Sequence, residues 1–313
     1  MPDLEHIYAG SSRLRHPRSE GDLMQAAVDA FFLVVHGDVS DVMSLPPGYV
    51  LRSANTLSMM KISLEKLTAL WTVVKNGRHP VDISVRTLEL YRPLFKYVNA
   101  REMARLNLSD PKIVLYLGTH PDLNRHQVGV IARKLVALRP GWHRPALLTL
   151  MNNLLCGLPV VLLHQIRDDA LLQLAPSVFY HIYACDPLQV RFFYHLMTKP
   201  QVLGKAYSWG FEQVFKLGLL LTEARGAHLT TVKPHAIAAI TPQVMAKMKP
   251  INLRYLTEQQ KAKLQPNVRN ILRKKLRSYT FIRRGISTAN TPQPLLFIML
   301  LFHTSVKVLT KCL

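Results

Sequence analysis

Between Lys233 and Leu272 the apolar and polar positions recur every eight residues, as KPHAIAAI, TPQVMAKM, KPINLRYL, TEQQKAKL and QPNVRNIL. Proline holds the second position in four of these five units, at Pro234, Pro242, Pro250 and Pro266, and Glu258 holds it in TEQQKAKL. Every unit closes on a large apolar residue: Ile240, Met248, Leu256, Leu264 and Leu272. Proline suits the first position of a helix, where its fixed φ is already helical and its missing N–H would have had no partner. It also pushes the residue before it out of the α region, so each unit must end before the next begins. Thr241 precedes Pro242 as a cap, and Thr257 with Gln260 forms a capping box in place of proline. The pattern predicts mini-helices of about six residues, too short to be stable alone, each laying its apolar end on a shared core.

The same rhythm is present in Tyr91–Val114 (YRPLFKYV, NAREMARL, NLSDPKIV) and in Pro159–Val190 (PVVLLHQI, RDDALLQL, APSVFYHI, YACDPLQV). The arrays start at 91, 159 and 233, spacings of 68 and 74 residues. Between them, apolar residues at helical spacing predict longer helices. One is capped by Asp22 and runs to about Val35, and one spans Ser58–Lys75. One is opened by His120-Pro121 and runs to about Leu138, and others lie around Arg191–Thr198 and Gly210–Ala224. Pro46-Pro47-Gly48 and Arg139-Pro140-Gly141 read as stops. No period-two strand pattern competes, so the chain reads as all-α. Its organisation reads as a polar arm over 1–20, a single repeat domain over 21–285, and a linker with an apolar tail over 286–313.

Composition changes this picture in one respect. An apolar fraction of 49% supplies a core, but 40 basic residues against 19 acidic ones leave a net charge of +21. Such a surface suits an anionic partner: an acidic glycan, an anionic lipid surface, an acidic protein patch or a nucleic acid. The densest basic cluster is Arg269, Arg273, Lys274, Lys275, Arg277, Arg283 and Arg284. Trp71, Trp142 and Trp209 read as core residues, with Trp142, in its glycine-flanked corner, the best candidate for a surface anchor.

Candidate chemistry is sparse. The thirteen histidines form no HExxH set, and Cys156, Cys185 and Cys312 have no metal-ligand spacing, so no metal or cofactor is expected. One bridge among the cysteines is open in an oxidising compartment, but apolar surroundings favour buried free thiols at Cys156 and Cys185. Asp168-Asp169 reads as charge in the first turn of a mini-helix. No phosphate loop and no nucleophile elbow is present, so no catalytic residue is assigned and the chain reads as a non-enzyme. Asn107-Leu108-Ser109 would accept a glycan at Asn107 in a secreted chain. No signal-peptide core follows Met1, while Ser287, Thr288 and Ala289 before the apolar tail are similar to a lipid-anchor attachment signal.

Leu154–Ile182 and Ala238–Pro266, with mini-helices that begin Thr-Pro or Thr-Glu and close on Leu or Ile, resemble the mesothelin, otoancorin and stereocilin family of extracellular repeat proteins. The resemblance spans roughly Leu88 to Leu276. It implies a right-handed superhelical α-solenoid of armadillo-like repeats, displayed on the cell surface and often lipid-anchored. It also implies a role in cell–cell or cell–matrix attachment, without catalysis. The high basic charge departs from that pattern and keeps a second expectation open: an intracellular basic helical-repeat protein that binds nucleic acid.

Overall fold

The computed structural model describes residues 20–289, with side chains over 24–280. Among them the chain is helical and contains no strand. The first stretch holds α1 (Glu20–His36), α2 (Val39–Met43), α3 (Pro47–Met59), α4 (Leu64–Lys75), α5 (Val85–Leu90), α6 (Arg92–Phe95), α7 (Ala100–Met103) and α8 (Pro111–Thr119). The middle holds α9 (Arg125–Leu138), α10 (Pro145–Met151), α11 (Val160–Leu163), α12 (Asp168–Leu172), α13 (Pro187–Met197) and α14 (Phe211–Leu217). The last stretch is α15 (Gly226–Thr231), α16 (Pro234–Ile237), α17 (Pro242–Lys247), α18 (Pro250–Leu253), α19 (Glu258–Lys263) and α20 (Pro266–Ala289).

The eight-residue units are mini-helices where the pattern put them. Pro234, Pro242 and Pro250 open α16, α17 and α18. The Thr241 hydroxyl accepts from the N–H of Val244 at 3.4 Å, and Thr257 and Gln260 cap each other at the start of α19. Ile240, Met248, Leu256, Leu264 and Leu272 are all buried. The last unit departs from the pattern, because no cap or proline follows Leu272: Pro266 opens a helix of 24 residues. That helix carries the backbone through Gly285 to Ala289, so the boundary drawn at 285 falls inside it. The arm over 1–19 and the tail beyond 289 lie outside the described residues.

Other boundaries shift for local reasons. Asp22 falls inside α1, which begins at Glu20. Ser63 caps Lys66 and starts α4, which splits the helix expected over Ser58–Lys75. Pro47 does not stop a helix; it sits in the first turn of α3. Asn124 and Gln127 form a capping box that starts α9, leaving Pro121–Leu123 in the approach turn. At Gly218 φ turns to +49°, which converts the helix expected to Ala224 into α14 and a 3-10 turn, Gly218–Glu223.

Layers pack on layers about thirty residues back along the chain, and buried side chains mark the step. Gln127 Nε2 donates to the carbonyls of Lys96 and Val98 at 2.8 and 2.9 Å. Gln189 Nε2 does the same to Cys156 and Leu158 at 3.0 and 3.1 Å, and Gln260 Nε2 to Leu229 and Val232 at 2.8 and 2.7 Å. In each case a capping-box glutamine closes its own helix start and also satisfies the last carbonyls of an earlier short helix or turn. Carbonyls at the end of a helix or turn have no partner further along the same element, and all of these but Leu229, which also accepts from the Val232 N–H, depend on the glutamine. Two lysines repeat the device at the ends of the described chain. Lys66 Nζ donates to Val34 and Val35, and Lys275 Nζ to Met245, Ala246 and Met248.

A longer repeat is superposed on this step. Asn152 (φ 44°, ψ −114°) and Gly218 (φ 49°, ψ −127°) share one uncommon conformation. Each follows a seven-residue helix, α10 or α14, and each opens a six-residue 3-10 turn, Asn152–Gly157 or Gly218–Glu223. α9 packs on the first turn and α13 on the second. Trp71, Trp142 and Trp209 are all buried, which removes Trp142 as a surface anchor: its corner folds inward.

Candidate functional site

The basic cluster named from the sequence does not act as one patch. Arg269 reaches back to the carbonyls of Ala262 and Leu264 at 2.7 and 3.0 Å, capping α19. Lys275 is spent on the carbonyls at the end of α17, and burial pushes its ammonium below the usual lysine range. Arg273, Lys274 and Arg277 remain exposed on α20, while the side chains of Arg283 and Arg284 lie outside the described ones. Asn107 is half-buried in the turn between α7 and α8, where its Oδ1 accepts from the N–H of Ser109 at 3.1 Å. Pro266 and the other caps serve helix starts and reach no shared site.

Cys156 and Cys185 are joined in a disulfide, with Cα atoms 4.5 Å apart across 29 residues of sequence. This overturns the expectation of buried free thiols. Apolar surroundings described each cysteine alone, whereas the fold brings the start of α13 back onto the turn that ends at Gly157. The N–H of Ala184 donates to Asn153 Oδ1 at 2.8 Å and fixes the same approach. Gly157 permits close packing on the other side, since a Cβ there would stand 2.5 Å from the Val128 carbonyl of α9.

Two clefts occupy equivalent places in successive repeats. The first, of about 500 Å³, lies between α9, the Asn152–Gly157 turn and α13. Its lining is largely apolar (Leu158, Pro159, Val160, Leu188), and its Arg125 is paired with Asp186 at 2.6 Å. The backbone N–H of Gln189 and the Arg125 guanidinium hold the Asp186 carboxyl below the usual carboxylate range. The second cleft, of about 590 Å³, lies between α13, the Gly218–Glu223 turn, α15 and α18. Arg191, His195, Arg225, His228 and Lys249 line it around one carboxylate, Glu223. Glu223 accepts from Arg191 Nε at 3.2 Å and pairs with Lys249 Nζ at 3.7 Å. No run of residues marks this cleft in the sequence, because its cations come from three separate elements that only folding brings together.

Among the described residues no three metal-ligating side chains come together, and no helix is long and apolar enough to cross a membrane. His120 is buried against the rings of Phe95 and Tyr116, where its Nε2 faces the Arg92 carbonyl at 3.2 Å. No protein-family model matches the chain, and no curated protein matches it. The class that fold and surface define, over the described residues, is an all-helical protein with repeated helix–turn units and a basic cleft between two of them.

Proposed function

We propose that the chain is a non-enzymatic interaction or adhesion scaffold of the extracellular space or cell surface, of mesothelin-like type, built as a superhelical solenoid of armadillo-like character. The observation that carries this reading is the Cys156–Cys185 disulfide, because such bonds persist in oxidising compartments. The step of about thirty residues between packed layers supports the solenoid, in which each repeat buries its neighbour's face. Its ligand is held on the surface of the repeats, through contacts whose strength falls with salt.

Surface labelling of intact cells expressing the full-length protein tests the reading, with and without phospholipase and deglycosylation. The expected result is a labelled product whose mobility shifts on deglycosylation at Asn107; release by phospholipase would add the lipid anchor. A wholly intracellular pool bound to nucleic acid would overturn it. That second reading, an intracellular basic helical-repeat protein, is favoured by the net charge of +21.

A further inference from the structure

The cleft around Glu223 is a built feature and not a chance concentration of lysine and arginine. Glu223 is held with its side chain only 10% exposed and draws together Arg191 of α13 and Lys249 at the start of α18. Arg225 stands exposed at the cap of α15, with no carboxylate partner among the described residues. Three cations against one carboxylate leave the lining with a charge of +2 before either histidine takes a proton. The equivalent cleft one repeat earlier has glycine at the place of Glu223, an apolar wall, and only Arg125 and Arg133 against Asp186, so the denser basic lining belongs to this one.

A second basic cleft, of about 380 Å³, continues the chemistry. Lys261, Arg269 and Arg273 line it between α19 and α20, with Glu258 paired to Lys261 at 2.7 Å. α18 links the two, since it lines the first with Asn252 and packs against α20, the wall of the second. Successive cationic clefts fit an extended polyanion better than a single small ion. Apart from its two histidines, the first cleft contains one aromatic ring, the buried Tyr194, and the second contains none. Single-stranded nucleic acids use exposed aromatic rings as stacking platforms, so the lining favours a saccharide chain.

We propose that these clefts bind a sulfated glycan, with Arg225, Arg191 and Lys249 gripping its sulfate and carboxylate groups through charge-assisted hydrogen bonds. The assignment rests on the extracellular reading above. The test is a titration of the purified full-length chain with a fluorescent heparin-derived oligosaccharide, its desulfated counterpart, and a single-stranded RNA of matched charge. The sulfated oligosaccharide is expected to bind most tightly, and the double variant Arg225→Ala/Lys249→Ala to weaken it by about tenfold or more. The exposed pair Arg133→Ala/His126→Ala, at the earlier cleft, is expected to leave binding unchanged. Circular dichroism and the unfolding midpoint establish that each variant folds.

Absence of binding at physiological salt, or equal binding by the double variant and the parent, overturns the proposal. So does tighter binding of the RNA with the same sensitivity to Arg225 and Lys249. Surface labelling separates the glycan proposal from the reading beneath it. A surface-exposed chain that ignores the sulfated oligosaccharide sinks this proposal alone, whereas an intracellular chain sinks the extracellular reading as well.

Discussion

The two equivalent clefts differ in what joins their walls. At the first, α9 and α13 meet the Asn152–Gly157 turn through a disulfide, a bare glycine and apolar side chains, beside one ion pair between Arg125 and Asp186. At the second, Thr222 and Glu223 stand where the first has Cys156 and Gly157, counting from Gly218 and Asn152, and the walls are joined by ion pairs. The backbone is shared; the contents are not. One junction is locked covalently, and the other leaves charge facing solvent. The repeat thus supplies a frame in which stability and recognition can be placed in different copies.

The largest effect that would sharpen this contrast is removal of the lock. A double Cys156→Ala/Cys185→Ala variant opens a loop of 29 residues and is expected to lose about 3.5 kcal/mol on the chain-entropy account. Urea unfolding with and without reductant checks it: reductant should destabilise the parent and leave the variant unmoved. Equal stability of parent and variant would mean that the first junction is held by packing and the Arg125–Asp186 pair without help from the disulfide.

A titratable junction should be sensitive to acid where the glutamine junctions are not. Burial pushes the His120 imidazole down to about 4 from the ordinary value, with the Arg92 carbonyl opposing that fall by accepting from its N–H. The unfolded chain therefore takes up the proton first, near pH 6.5, and the folded chain only near 4. The stabilisation is whole above pH 6.5 and is lost as pH falls toward 4, at most about 3 kcal/mol. His120→Gln, measured by urea unfolding at pH 7 and about pH 4.5, is expected to flatten that loss.

Gln189→Ala and Gln260→Ala come next. Each opens a capping box and removes a buried donor, at a cost of about 2–3 kcal/mol. The donor is lost from the carbonyls of Cys156 and Leu158 in the first case and from that of Val232 in the second, where Leu229 keeps the Val232 N–H. If the disulfide carries the first junction, Gln189→Ala should cost less in the oxidised protein than after reduction, while Gln260→Ala should be indifferent to reductant. Thermal unfolding in both redox states separates the two.

These glutamines show what is legible in the sequence. Thr257-Glu258-Gln259-Gln260 reads as a capping box, and Asn124–Gln127 and Asp186–Gln189 carry the same spacing. Local rules therefore reach the helix starts, and the octad prolines and buried closing residues follow from one-dimensional pattern. What the rules cannot reach is that each glutamine turns its amide nitrogen to carbonyls about thirty residues back, because that depends on which layers stack. The disulfide, the inward turn of Trp142 and the Glu223 cleft share that dependence. So does the division of the α20 cluster, where Arg269 and Lys275 act as caps and only Arg273, Lys274 and Arg277 stay on the surface among the described side chains.

The smallest predicted effect tests the equivalence itself. Asn152 and Gly218 both need a positive φ, but they meet it differently. Asn152 offsets the strain by donating from Nδ2 to the carbonyls of Thr149 and Leu150, at 2.9 and 3.3 Å. Gly218 has no Cβ to strain, and one placed there would stand 3.1 Å from the Phe179 backbone. Gly218→Ala is expected to cost about 1–2 kcal/mol, from the positive φ together with that contact. Asn152→Gly should stay within about 0.5 kcal/mol, since glycine relieves the backbone while giving up the two hydrogen bonds. Unfolding midpoints of the two variants decide the matter. A large loss at Asn152→Gly would show that the asparagine holds its turn through its side chain, and the two junctions would then share a shape without sharing the reason for it.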